Sequence, residues 1–127
     1  MELGLNQIIE NQKGFFLSGK TKDIQFRLEQ LKRLKAAMLA YEGRFYDALW
    51  KDLHKSKTEA YMTEIGFSLE EIGLQIKKLR RWSKPVRVPT NQLIHFWSTS
   101  KIISEPYGTV LIIAPWNYPL QLLIAPL

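Results

Sequence analysis

The final stretch of the chain, residues 106–127, contains no charged side chain over 22 positions. A helix of that length could cross a bilayer, but four prolines interrupt the stretch: Pro106, Pro115, Pro119 and Pro126. Proline removes a backbone donor and breaks a helix, which would leave backbone groups unpaired in lipid. The sequence therefore favours a strand, a tight turn and the start of a buried helix, and we expect no membrane segment in this chain.

A continuous apolar run at residues 109–113 is rich in β-branched side chains and lies between Gly108 and Pro115. Such a run is typical of a strand that is covered on both faces, as in a parallel sheet. A buried strand needs partner strands, but this chain stops soon afterwards, in apolar sequence, at Leu127. Because domains seldom end on an exposed apolar segment, we expect the chain to be a fragment of a larger α/β domain.

Upstream of this run, apolar side chains recur every three or four residues, the spacing that predicts amphipathic helices. A weak first helix is expected at residues 5–17, ended by Gly19. Two further helices are expected to meet near residues 42–44, with the apolar positions Ile24, Leu28, Leu31, Leu34, Met38 and Tyr41, then Phe45, Leu49 and Leu53. Ser56 and Glu59 have the spacing of a capping box. They begin a helix that runs towards Trp82, with Met62, Ile65, Leu69, Ile72, Ile76 and Leu79 on its apolar face.

The composition changes after Pro85, which this long helix cannot easily pass. A loop is expected at residues 89–91, and two short strands are predicted at residues 93–97 and 101–104. The predicted fold class is α/β, and the fragment itself is mostly helical. Its parts are N-terminal helices over residues 1–85, a β-ribbon arm over residues 86–105, and a segment over residues 106–127 that holds the first buried strand, a Pro-Trp-Asn turn and the start of the next helix.

Charge and composition exclude several classes of protein. Hydrophobic residues make up 46% of the chain and charged residues 24%, so the chain is not intrinsically disordered. The net charge of +6 arises from one patch between Lys77 and Arg87. Clustered bases beside Trp82 are compatible with nucleic-acid binding, but near a helix end they also favour the helix dipole. We expect a solvated helix face and no nucleic-acid partner, with a basic nucleic-acid-binding domain as an alternative.

Residues 14–21 match the phosphate-loop pattern G-x-x-x-x-G-K-[ST] in full. That loop requires a preceding buried strand, and residues 7–13 are too polar to form one. The loop would also place Phe15 and Phe16 where the backbone must wrap closely round a phosphate. We therefore expect two core phenylalanines followed by a glycine turn, without nucleotide hydrolysis.

Cysteine is absent from the chain, which removes disulfides, thiolate metal ligands and a cysteine nucleophile. His54 and His95 lack a partner at ligand spacing, so no metal site is predicted. Residues 1–17 have no sustained apolar core and do not form a secretory signal, which favours a cytoplasmic protein. The apolar face of residues 62–79 is also compatible with a helical protein-interaction module, the second alternative function.

The turn after the predicted strand is a candidate functional site. Trp116 and Asn117 lie between Pro115 and Pro119 at the end of that strand. Ligands bind at the strand ends of parallel sheets, and a side-chain amide held between two prolines is a candidate oxyanion donor. The residues alone predict either a ligand or oxyanion site, or a structural turn.

The motifs of the chain have a characteristic order: E-P-Y-G at residues 105–108, then I-I-A-P-W-N-Y-P at residues 112–119. Together with residues 120–127, this order resembles the aldehyde dehydrogenase superfamily. Upstream, S-G-K-T at 18–21, R-L-E-Q-L at 27–31 and K-S-K-T-E-A-Y at 55–61 narrow the resemblance to the class 3, fatty-aldehyde-like branch. The resemblance covers nearly the whole chain, and it places residues 14–21 in a helix-to-helix turn.

The resemblance implies oxidation of an aldehyde to a carboxylic acid with NAD or NADP. In such enzymes a cysteine thiolate attacks the carbonyl carbon, hydride leaves to the nicotinamide, and an activated water hydrolyses the thioester. Asn117 matches the family's oxyanion asparagine, a catalytic residue, while Ile113, Ala114, Pro115 and Trp116 match the segment that lines the nicotinamide ribose. The ribbon resembles an arm used for dimerisation, which implies a homodimer as well as an aldehyde substrate.

The departures from the family pattern are large. The family's nucleophile, general base and Gly-rich cofactor loop lie further along its members, and this chain has no cysteine. We therefore expect the first quarter or so of an aldehyde dehydrogenase, inactive by itself, with the cofactor sheet represented by its first strand.

Overall fold

The computed structural model describes residues 4–91 and 93–127, and it consists mainly of helices. Residues 1–3, at the start of the predicted helical part, and residue 92, within the predicted arm, lie outside the described residues. The elements in chain order are α1 (Leu5–Leu17), a 3₁₀ turn (Lys20–Lys22), α2 (Ile24–Ala40), α3 (Glu42–Leu53), α4 (Lys57–Ala60), a π-helical turn (Tyr61–Ile65), α5 (Gly66–Trp82), β1 (Val86–Val88), β2 (Ser100–Ile102) and α6 (Pro119–Ile124).

The first three helices have bounds close to the predicted ones, but the prediction of two core phenylalanines is wrong: Phe15 is 45% exposed and Phe16 is half-buried, and no residue of α1 is buried. Helix α1 has the predicted bounds, and Gly19 leaves it with a φ of 76°, a left-handed conformation that glycine adopts at little cost. Asp23, which the sequence did not single out, caps α2 by accepting hydrogen bonds from the backbone N–H groups of Gln25 and Phe26. The predicted junction of two helices is confirmed, and the interruption falls at Tyr41, just ahead of residues 42–44.

The core forms where α2 packs against α5 and where α4 and the π-helical turn close its end. Its buried apolar side chains are Leu28, Met38, Leu49, Ala60, Ile65 and Ile72. Met62, predicted on the same apolar face, is instead exposed. The π-helical turn accounts for this difference, because it inserts one extra residue per turn and rotates the preceding residues relative to α5.

The π-helical turn also explains why Gly66 follows it. Ala60 and Ile65 are both fully buried, and so is Glu64, which precedes Ile65. A Cβ atom at Gly66 would lie 2.9 Å from the carbonyl oxygen of Tyr61. Glycine is therefore the residue that allows the chain to return to α-helical geometry here.

The predicted helix start at Ser56 is confirmed. The hydroxyl oxygen of Ser56 accepts a hydrogen bond from the backbone N–H of Glu59 at 3.2 Å. We expect Ser56→Ala to lower the free energy of unfolding by about 1 kcal/mol, because one N–H of the first turn loses its acceptor. A urea titration followed by circular dichroism measures this change. Ser56→Asp, which keeps an acceptor, is the control, and an equal loss in both variants would contradict the capping role.

The two-stranded ribbon is present, but its strands differ from the predicted ones. β1 pairs antiparallel with β2, with Val86 opposite Ile102 and Val88 opposite Ser100. Residues 93–97 form turns and not a strand, and the second strand ends at Ile102. The prediction was based on the apolar residues 93–97. In the structure the strands lie on either side of them, and next to the paired strands the hydroxyl of Thr90 accepts a hydrogen bond from the backbone N–H of Ser100 at 2.8 Å.

Residues 109–113 were predicted to form a buried strand, and this prediction is wrong for the described chain. The run belongs to no sheet, and Leu111 is 85% exposed. The physical reason is that strand geometry is stabilised by hydrogen bonds to a neighbouring strand, and the described residues offer none here. Among residues 4–91 and 93–127, no helix has both the length and the apolar character needed to cross a membrane.

Candidate functional site

The candidate site is the Asn117 turn, which we define as residues 115–119. An extended segment enters it, residues 116–118 bend, and Pro119 then occupies the first position of α6. Proline suits that position because its missing N–H would have no helical partner there. Trp116 is 90% exposed, and Asn117 is exposed beside it. The turn therefore presents both side chains on the surface of the described chain.

Two charged residues from the helical part lie beneath this turn. Lys55 follows α3, where His54 takes a left-handed conformation with a φ of 53° and ends the helix. Glu64 lies in the π-helical turn, on the same buried face as Ala60 and Ser68. Glu64 is 0% exposed and Lys55 is 8% exposed, so both charges are buried.

Lys55 and Glu64 form an ion pair that also binds the Asn117 turn. The Lys55 Nζ atom lies 2.5 Å from Oε1 of Glu64 and donates a second hydrogen bond, of 2.8 Å, to the backbone carbonyl of Asn117. The same ammonium lies 4.2 Å from the ring centroid of Tyr118, within the range of a cation–π contact. The remaining carboxylate oxygen, Oε2, accepts from the backbone N–H groups of Leu120 at 2.8 Å and Gln121 at 3.4 Å.

The polar groups of this buried pair have hydrogen-bonding partners. Both carboxylate oxygens of Glu64 have donors, and the ammonium of Lys55 has a carboxylate, a carbonyl and an aromatic face around it. Buried charges are tolerated when they are paired and hydrogen-bonded in this way. The turn is therefore held through the backbone of Asn117, and within the described residues the side-chain amide of Asn117 has no hydrogen-bonding partner.

The structure brings the candidate cofactor residues together with Asn117. Ile113 and Ala114 lead directly into the turn, Pro115 and Trp116 belong to it, and Ile113 is exposed as Trp116 is. The sequence analysis missed Lys55 and Glu64 as parts of this site. A usable signal was present for Glu64: the small residues Ala60 and Ser68 lie four positions before and after it, which leaves room for an inward-pointing carboxylate.

The other motifs do not contribute to this site. The phosphate-loop match begins inside α1, and the ammonium of Lys20 lies 5.8 Å from the ring centroid of Phe15 and 5.5 Å from that of Phe26. A helix therefore precedes this loop, where a phosphate loop requires a strand. His54 serves as the C-terminal cap of α3 and packs against Trp50. In the basic patch, Arg80 donates a hydrogen bond to the side chain of Gln25.

Comparison with known proteins gives a consistent result. Residues 5–127 match the aldehyde dehydrogenase family. The 4,4'-diaponeurosporen-aldehyde dehydrogenase of Staphylococcus aureus is 50% identical over 97% of this chain. Human aldehyde dehydrogenase family 3 member B1 is 39% identical over 97% of the chain, and so is the canine enzyme named "aldehyde dehydrogenase, dimeric NADP-preferring".

A solved structure gives the same result at the level of the fold. It is described as the substrate-bound state of Staphylococcus aureus AldH, and it superposes with a TM-score of 0.93 at 48% sequence identity over 99% of this chain. The chain spans about a quarter of these proteins' lengths: 27% of the S. aureus relative, 26% of the human one and 27% of the solved chain. The sequence motifs, the superposed backbone and the match over residues 5–127 agree, and the chain belongs to the aldehyde dehydrogenase family.

Proposed function

We propose that this chain is the N-terminal part of an enzyme that oxidises an aldehyde to a carboxylic acid with NAD or NADP. The family match over residues 5–127 supports the reaction class. The alternatives, a helical interaction module and a nucleic-acid-binding domain, gain no support from the relatives. The chain contains no cysteine, so the nucleophile of the reaction must come from outside residues 1–127.

The observation that carries the proposal is the presentation of Asn117. Its backbone carbonyl is tied to the buried Lys55, while its side-chain amide is exposed and points to no partner within the described chain. We assign to this amide the stabilisation of the negative charge that develops on the carbonyl oxygen of the aldehyde. A preorganised donor of this kind costs no reorganisation when the charge appears.

Residues 113–116 are proposed to hold the nicotinamide ribose of the cofactor, which accepts a hydride when it is bound. Their fit rests on two observations: Ile113, Pro115 and Trp116 are exposed, and residues 113–116 are continuous with Asn117. Ile113 and Trp116 offer apolar surface on which a planar ring can rest. The fragment alone is expected to bind NAD weakly or not at all, because its described residues contain no phosphate loop in its proper context.

The domain assignment extends this proposal. Residues 1–85 form the helical part of the cofactor-binding domain, residues 86–105 form an arm for a homodimer, and residues 106–127 supply the first strand of the cofactor sheet once neighbouring strands cover it. The exposed apolar residues of the arm, Leu93, Ile94, Phe96 and Trp97, support an interface, since such surface is usually covered in a folded protein. A cytoplasmic location is part of the same proposal.

The test uses a completed enzyme, which we define as residues 1–127 of this chain joined to the downstream part of the S. aureus relative. The high identity of the replaced segment makes this exchange structurally conservative. We expect the completed enzyme to reduce NAD or NADP in the presence of an aldehyde, measured by the absorbance of the reduced nicotinamide with short, aromatic and long-chain aldehydes.

Two controls define the outcome. Residues 1–127 alone should show no turnover, because they lack a thiol nucleophile. The unaltered S. aureus relative is the positive control, which shows that the assay detects aldehyde oxidation. A completed enzyme that folds and binds NAD but oxidises no aldehyde would contradict the proposed function.

A further inference from the structure

We propose that Lys55 and Glu64 are positioning residues for Asn117. Their ion pair holds the Asn117 turn in the place where the amide of Asn117 can act on the reacting oxygen. The inference rests on the proposed function, because it assigns to the pair an effect on turnover that passes through Asn117.

The first argument concerns how residues 106–127 are attached to the helical part. Within the described chain, every hydrogen bond that joins this segment to the helices is made by Lys55 or Glu64. Their partners lie 56 to 62 residues further along the sequence. The pair is therefore the polar link that sets the position of the turn relative to the core.

The second argument concerns where the pair acts. Lys55 binds the carbonyl of Asn117 itself, and Glu64 binds the first free N–H groups after Pro119, so the turn is held at its centre and directly after its last residue. Buried polar networks whose members are fully satisfied tend to select one arrangement of the chain. The low exposure of both side chains also keeps water from competing for these hydrogen bonds.

The third argument concerns sensitivity to geometry. An oxyanion donor must lie within hydrogen-bonding distance of an oxygen that moves as the carbonyl carbon becomes tetrahedral. A displacement of about 1 Å in a reacting or stabilising group can cost about a hundredfold in rate. A pair that sets the turn's position therefore affects kcat more than KM for aldehyde. Because Pro115 and Trp116 belong to the same turn and are proposed to hold the nicotinamide ribose, NAD affinity should fall as well.

The variant that tests this is Lys55→Met/Glu64→Gln in the completed enzyme. It removes the hydrogen bond to the Asn117 carbonyl without leaving a buried charge unpaired, and the glutamine oxygen remains as an acceptor for the N–H of Leu120. The matched control is Lys13→Met/Glu10→Gln, which removes an exposed ion pair of 2.9 Å on α1. Turnover, KM for aldehyde and NAD affinity are measured for both double variants, each with Asn117 present and with Asn117→Ala.

We expect the Lys55→Met/Glu64→Gln variant to lose about ten- to a hundredfold in kcat when Asn117 is present, with little change in KM. In the Asn117→Ala background the same pair of substitutions should cost almost nothing further, because the group that they misplace is already absent. The Lys13→Met/Glu10→Gln control should leave kcat unchanged in both backgrounds.

The outcomes separate the two levels of the proposal. If Asn117→Ala slows turnover but the Lys55 and Glu64 substitutions reduce kcat equally in both backgrounds, or not at all, the positioning role is wrong and the proposed function stands. If Asn117→Ala leaves turnover normal, the oxyanion role of Asn117 is wrong, and so is the positioning role that depends on it. Should the double variant fail to fold, Lys55→Gln/Glu64→Gln is judged by the same comparison, since it also leaves no buried charge unpaired and keeps a polar side chain at both positions.

Discussion

Replacing Asn117 by alanine in the completed enzyme is expected to lower kcat by about a hundred- to a thousandfold, the usual cost of losing one oxyanion donor. Charge appears on the carbonyl oxygen only after the nucleophile attacks. The lost hydrogen bond therefore belongs to the transition state, and KM for aldehyde and NAD affinity should change much less. Steady-state kinetics and a cofactor titration on one preparation measure all three quantities.

The structure adds a reason to expect that the turn survives this substitution. Lys55 holds the backbone carbonyl of Asn117 and not its side chain, so alanine keeps the contact. Asn11→Ala is the matched control, because Asn11 is an exposed asparagine on α1. A melting temperature and a cofactor affinity that fall together, with normal turnover of the surviving enzyme, would instead make Asn117 a structural residue.

Lys55→Met alone is expected to destabilise the completed enzyme by about 3–5 kcal/mol, because it leaves the Glu64 carboxylate buried without its counter-charge. The pair also fastens residues 106–127 to the helices, so the loss should appear in the first unfolding transition in urea. Adding Glu64→Gln should recover most of the lost stability, since the second substitution removes the unpaired charge.

The exposed ion pair on α1 is the control for this stability measurement. Lys13 and Glu10 remain 55% and 66% exposed, and water and salt screen such a pair, so Lys13→Met should cost roughly 0–1 kcal/mol. A loss of that small size for Lys55→Met as well would mean that Glu64 is solvated or otherwise compensated, against the burial seen here.

Family membership could be inferred from the sequence because it is carried by local, ordered motifs. The E-P-Y-G and A-P-W-N-Y-P segments and the upstream motifs need no knowledge of packing. The helices were also accessible, since the spacing of Leu28 and Met38, the glycine at 19 and the cap at Ser56 act within a few residues of one another. Each of these features appears in the structure at or close to the expected position.

The strands were less accessible because a strand depends on its neighbour. Residues 93–97 have strand-like composition, yet the ribbon forms between β1 and β2 on either side of them. The run at residues 109–113 is more apolar still and is exposed, because the described residues provide no partner strand. In both cases side-chain preference predicted a strand that the structure does not contain, because hydrogen-bond partners decide which residues pair.

The sequence by itself thus determined the helical order and the cap at Ser56, since each depends on side chains close together in the chain. It made Asn117 a candidate residue through its resemblance to the family motif. Only the tertiary structure revealed the pair of Lys55 and Glu64 beneath the turn. These residues come from opposite sides of a helix start. The four-residue spacing of Ala60, Glu64 and Ser68 places Glu64 on the buried face, but it does not show which groups lie opposite its carboxylate. Whether a charge is buried depends on a partner more than fifty residues away, and that distance is closed only when the chain folds.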